Sequence, residues 1–179
     1  MKMPYLLIAI GVLLIVIGIY LLTRSGSESE SEKQKGDAFE NYMIQKIGKI
    51  PGAIFVSKNS DYHQNGVSAA ENRDPDLKFK IGQELIAIEC KYRSSFSASG
   101  KIEWAKEYQL NNYRSFEKEK NHSVFIAIGV GGSPALPKKL YIVPLFRLTK
   151  TFAVQSYIEE FEINPSKQLV FNSKKMKFE

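Results

Sequence analysis

The sequence predicts an α/β domain preceded by a single apolar helix at the N-terminus. Three observations lead there. Apolar residues recur at helical spacing over 36–48 and 102–120, and short runs with strand character lie between and after them. One run, Val124–Val130, is apolar without alternation, the mark of a strand covered on both faces. Finally, residues 4–23 contain no charged side chain.

A chain of 179 residues can bury a sizeable core. A net charge of +6 and a pI near 9.2 suit a polyanionic partner without demanding one. Cys90 is the only cysteine, which excludes an internal disulfide, and its place in an apolar run marks it as a core thiol.

The uncharged stretch Pro4–Thr23 is rich in Leu, Ile and Val, and about twenty such residues span a bilayer as a helix. Lys2 and Arg24 flank it, and Tyr5 and Tyr20 fall at the expected interfaces. The competing reading is a cleavable signal, whose apolar region is usually about 7–15 residues, with Ser25-Gly26-Ser27 as the cleavage site. Length favours a retained single-pass membrane anchor over 1–24. Residues 25–35 are Ser-, Glu- and Lys-rich and read as a flexible tether. Arg24, Lys33 and Lys35 outnumber Lys2 and the terminal amine, which places the domain over 36–179 on the cytoplasmic side.

Within that domain, Phe39, Met43, Ile44 and Ile47 form one helical stripe, stopped by Pro51-Gly52. Glu40 borders the stripe and can point into the domain. Ala53–Val56 is a short strand, and Ser57–Asp74 a long polar connection of the kind that is often functional. His63 within it reads as a loop histidine, with substrate contact as the alternative.

Pro75–Arg93 then reads as a hairpin about Gly82-Gln83. In that register Ile81 faces Glu84, Phe79 faces Ile86, and Asp76 faces Glu89. Asp76, Glu89 and Lys91 share one face, while Leu77, Phe79, Ile81, Ile86, Ile88, Cys90 and Tyr92 form the other. Two adjacent carboxylates repel unless a cation sits between them, and their oxygens suit a hard divalent ion. A lysine beside them can steady an anionic phosphate or help activate water. Taken alone, the same residues also describe an ordinary solvated hairpin.

Ser94–Gly100 is a loop, and Ile102–Lys120 a helix with the stripe Ile102, Ala105, Gln109, Tyr113 and Phe116. Gln109 on that face either satisfies backbone groups at the helix edge or reaches the polar end of the hairpin. Val124–Val130 is a strand broken by Gly131-Gly132-Ser133-Pro134, glycines that do not follow the phosphate-cradling pattern. Leu140–Pro144 and Gln168–Phe171 are further strands, Phe152–Ile163 is either helix or strand, and Lys174, Lys175 and Lys177 read as a solvated tail, with phosphate contact as the alternative.

With this order of elements, the chain resembles the PD-(D/E)xK nuclease superfamily, near its restriction-endonuclease and Holliday-junction-resolvase branches, and the resemblance implies a restriction-endonuclease-like fold with a mixed central sheet flanked by helices. Pro75-Asp76 matches the PD and Glu89-Cys90-Lys91 the ExK, over a resemblance spanning about 36–144. Glu40 matches the acidic residue of the first helix, and Gln109 with Tyr113 a Gln-x-x-x-Tyr feature of the following helix. The resemblance implies that Asp76, Glu89 and the Cys90 carbonyl ligate Mg²⁺ or Mn²⁺. It implies that Lys91 positions water and steadies the phosphate, with Glu40 and Gln109 as accessory site residues. The expectation is a membrane-anchored, metal-dependent DNA endonuclease, compatible with a homodimer. The alternative is a non-catalytic nucleic-acid-binding or adaptor module tethered to the membrane.

Overall fold

The computed structural model describes residues 13–15, 17, 31–59 and 74–179. The chain divides into two units, 1–35 and 36–179. In the first unit residues 13–15, 17 and 31–35 are helical, and Glu32 pairs with Lys35 at 2.6 Å. Most of the expected anchor over 1–24, and part of the tether, lie outside the described residues. Among the described residues no helix is long and apolar enough to cross a membrane.

The second unit is built on a six-stranded sheet. Its strands in chain order are β1 (Ala53–Lys58), β2 (Leu77–Ile81), β3 (Glu84–Arg93), β4 (Lys101–Glu103), β5 (Ser123–Ser133), β6 (Leu136–Pro144), β7 (Phe152–Val154), β8 (Glu162–Ile163), β9 (Phe171–Asn172) and β10 (Lys177–Phe178). The helices are α1 (36–48 within this unit), α2 (Glu107–Lys120) and α3 (Gln155–Ile158). The main sheet runs β1-β2-β3-β5-β6-β8, and β4–β7 and β9–β10 form separate pairs. Among the described strands only β3 and β5 run parallel, and α2 lies in the connection between them. A parallel pair needs such a crossover, whereas its antiparallel neighbours are joined by tight turns.

Both faces of this sheet are covered. On one, Ala87, Ile126 and Ile128 pack with Leu110, Tyr113 and Phe116 of α2. On the other, Phe79, Ile86, Ile88 and Cys90 pack with Phe39, Met43 and Ile47 of α1 and with Phe178 near the C-terminus. The predicted apolar hairpin face is therefore the α1 face, and the polar set belongs to the α2 face.

The hairpin keeps the predicted register: Ile81 pairs with Glu84, Phe79 with Ile86 and Leu77 with Ile88. Gly82 has φ +62°, as the first central residue of a II′ turn requires.

Several boundaries differ from expectation. The helix expected from Ile102 begins at Glu107, because Lys101–Glu103 is taken up by pairing with β7. The buried face of α2 is accordingly Leu110, Tyr113 and Phe116, and Gln109 stands beside it. The strand expected to break at Gly131 continues to Ser133, since Gly131 (φ +65°) and Gly132 (φ +69°) adopt left-handed φ while β5 stays paired with β6. Of the strand expected over Gln168–Phe171 only Phe171 is extended, within β9; Phe152–Ile163 contains strand, helix and a 3₁₀ turn, and the tail folds back as β10 to bury Phe178.

Candidate active site

Asp76 stands one residue before β2, at the open end of the hairpin. Asn59 fixes this end by donating its backbone N–H to the Asp76 carbonyl at 2.6 Å and its side-chain amide to the Asp74 carbonyl at 3.2 Å. The Asp76 carboxylate reaches across the hairpin, where its Oδ2 accepts the Cys90 backbone N–H at 2.8 Å. Continuing the observed register places Asp76 opposite Glu89.

Glu89 is only 2% exposed and is buried as a charge with partners. The Lys91 ammonium lies 2.6 Å from its Oε1, and the Tyr113 hydroxyl of α2 is hydrogen-bonded to it. Burial and the Glu89 charge push the Tyr113 phenol far above its ordinary value, so it keeps its proton and donates. Burial pulls Lys91 down, but Glu89 and Asp76 outweigh it, and the lysine is held above its ordinary value and charged.

Asp76 is different. Burial first, and then the charges of Glu89 and Glu40, push its carboxyl well above the usual range, against the opposing effects of Lys91 and the Cys90 N–H. It has no ion-pair partner among the described residues.

Glu40 comes from α1 and is half-buried. Lys58, the last residue of β1, holds its Oε2 at 2.9 Å and also reaches Asp37 at 3.3 Å. Its charge is felt at Asp76 and at Cys90. Asp76 thus lies within electrostatic reach of the other three expected residues, Glu89, Lys91 and Glu40.

Gln109 does not join them by any described contact. Its Oε1 accepts the Lys106 backbone N–H at 2.9 Å and closes the first turn of α2. Of the two readings of that residue, the contact seen is the helix-edge one, and Tyr113, one turn on, meets the hairpin instead. The Cys90 side chain is buried in the core, and burial pushes its thiol well up, so it stays protonated and offers no sulfur ligand. His63 lies outside the described residues. Lys58 and the Tyr113–Glu89 contact were not anticipated, because each depends on which distant element faces the hairpin.

Among the described residues no group of three or more His, Cys, Asp or Glu side chains forms a ready cage for a metal ion. Mg²⁺ does not need one. It is usually held by one or two carboxylates together with waters and substrate phosphates. Paired carboxylates, one without a cation of its own, are a donor set that fits such an ion.

No family model matches the chain, and no curated protein does. A solved structure does: Hjc, a Holliday junction resolvase from the archaeal hyperthermophile Archaeoglobus fulgidus, determined at 1.6 Å. The two superpose with a TM-score of 0.51 at 17% identity, over 73% of this chain and 91% of the resolvase. The chain has a resolvase-like fold. At this identity the likeness concerns the fold. It agrees with the resemblance to PD-(D/E)xK nucleases carried by Pro75-Asp76 and Glu89-Cys90-Lys91. On this resolvase-like frame, the candidate site is the open end of the β2–β3 hairpin, flanked by α1 and α2.

Proposed function

We propose that this protein is a metal-dependent endonuclease that hydrolyses phosphodiester bonds in DNA. The observation that supports it best is the meeting of Asp76, Glu89 and Lys91 at one hairpin end, with Asp76 lacking a cationic partner among the described residues. Binding of a polyanion gives no physical reason to bury two adjacent carboxylates. Recruitment of a divalent cation does.

Asp76 and Glu89, with the Cys90 carbonyl, would hold Mg²⁺ or Mn²⁺. The ion would polarise the phosphate and lower the pKa of an attacking water. The chain's own residues supply the rest. Lys91 remains protonated, so it contributes positive charge against the phosphate rather than accepting a proton. The Cys90 N–H orients one oxygen of Asp76, and Lys91 with Tyr113 fixes Glu89. Lys58 fixes Glu40 at the margin of the site. Net charge of +6 favours approach of DNA. In this reading the segment 1–24, interpreted from sequence alone, sets location at a membrane and takes no part in the chemistry.

The test is cleavage by the full-length protein of supercoiled plasmid, linear duplex and four-way junction, with Mg²⁺, Mn²⁺ or EDTA. The junction is included because the structural neighbour is a Holliday junction resolvase. Cleavage that requires the metal and is lost in Asp76→Asn and Lys91→Arg is expected. Salt-sensitive DNA binding without cutting of any substrate would overturn the proposal and favour the adaptor reading.

A further inference from the structure

On the α1 face of the sheet lies a cleft of about 670 Å³, well apart in the fold from the Glu89–Lys91 face. It is bounded by the end of α1, the β5–β6 turn and the turn after β8. Three lysines line it, Lys46, Lys49 and Lys167, and no aspartate or glutamate does.

Lys46 is 9% exposed, yet among the described residues it has no carboxylate partner. Its ammonium donates to the carbonyls of Pro165, at 2.6 Å, and Lys167. An ammonium has three donors, so one is left over. Burial, and then the charge of Lys49, push its pKa down, as an uncompensated positive potential would. The simplest structural role for Lys46 is to staple the 164–168 turn to α1. That accounts for two of its donors. It does not account for Lys49 and Lys167, whose side chains make no ion pair among the described residues.

The volume falls in the range of about 300–1,000 Å³ that small-molecule sites occupy. Duplex DNA is convex and does not enter a cleft of that size. The walls also carry apolar surface from Leu136 and amides from Gln45 and Gln168. We infer that this cleft binds a nucleoside phosphate, with Lys46, Lys49 and Lys167 taking the phosphates and the apolar wall and amides taking the base. The inference is independent of the nuclease reading, since it shares no residue with that site.

The experiment is calorimetric titration of the full-length protein with ATP, AMP and inorganic phosphate in turn. Saturable binding in the order ATP tighter than AMP tighter than phosphate is expected. Lys49→Glu and Lys167→Glu should each weaken ATP binding by about tenfold or more, as loss of a charge-assisted contact implies. Both residues lie at the cleft rather than in the core, so their thermal melts should match the parent protein. Three results would each overturn the inference: no saturable binding of either nucleotide, binding indifferent to both charge reversals, or inorganic phosphate bound as tightly as ATP.

Discussion

Replacing Asp76 by Asn should stabilise the metal-free protein and, on the proposed function, abolish metal-dependent cleavage. The amide oxygen of Asn can still accept the Cys90 N–H, so the hairpin contact survives and only the charge is lost. Directly opposed residues in a hairpin stand about 5 Å apart, and two like charges at that distance repel by roughly 3 kcal/mol at an effective dielectric of 20. Lys91 offsets part of this, and a gain of about 1–2 kcal/mol is expected, or roughly 2–8 °C in Tm for a domain of this size. The sign reverses with conditions. Because the folded-state pKa of Asp76 is raised, the folded protein binds more protons than the unfolded chain between the ordinary carboxylate range and that raised value. In EDTA the parent protein should therefore lose stability as pH rises through that window, and Asp76→Asn should show less of this loss. Mg²⁺ should stabilise the parent increasingly at higher pH and the variant hardly at all. Thermal melts in EDTA and in Mg²⁺ across pH 4–9 measure all of this. A variant less stable than the parent in EDTA at neutral pH would refute the reasoning, since Asp76 would then be compensated without a cation.

Lys91→Ala removes the partner of a carboxylate that is only 2% exposed, and should cost about 3–5 kcal/mol in urea denaturation. Adding Glu89→Gln to that variant should recover much of the loss, because no buried charge is then left alone. Tyr113→Phe deletes a hydrogen bond to the same carboxylate and should cost about 1.5–3 kcal/mol by the same assay. Gly129→Ala would set a methyl 2.5 Å from Cε2 of Phe39, a side chain with no exposure, and should cost about 1–3 kcal/mol by overpacking. Because Phe39 precedes Glu40, Gly129→Ala should also lower cleavage by the folded fraction, measured as initial rate per active molecule.

The hairpin was legible in the sequence because a period of two leaves no latitude. A slip of one residue would have put Phe79 and Ile86 on the polar face and Glu89 in the α1 core. The α1 stripe was legible for a similar reason, with Phe39, Met43 and Ile47 all fully buried. The start of α2 was not. Ile102 and Ala105 extend a helical pattern backwards, but Ile102 is buried through pairing with Ala153 of β7, a contact fifty residues away in the chain. Gly131 and Gly132 misled in the opposite direction. Glycine usually ends a strand, yet here it lets β5 carry left-handed φ while pairing continues to Ser133. The charges of the C-terminal tail concealed Phe178, whose burial depends on Phe125 and Phe171 around it. For the site, Asp76, Glu89 and Lys91 were readable from one hairpin. Lys58 and Tyr113 were not, because nothing local says that the end of β1 meets α1 or that α2 turns its second buried residue toward Glu89.

The two carboxylates of the hairpin are neighbours in space but not in circumstance. Glu89 lies deeper and has a lysine at 2.6 Å and a phenol donor. Asp76 lies at the strand entrance with one backbone N–H, under the repulsion of Glu89 and Glu40. Environments that treat paired acids so differently usually divide their roles. Glu89, already neutralised, is the fixed point of the site and holds Lys91 in place. Asp76 carries the unmet demand for a cation, and its raised pKa means that a proton and the proposed metal would compete for the same oxygens. Metal affinity should therefore fall as pH drops through the Asp76 titration, and Glu40, held to one side by Lys58, increases that demand from a second element. The site is thus assembled from a hairpin that sets its chemistry and two helices that tune it, Tyr113 of α2 by fixing Glu89 and Glu40 of α1 by raising the potential cost of leaving Asp76 unpaired.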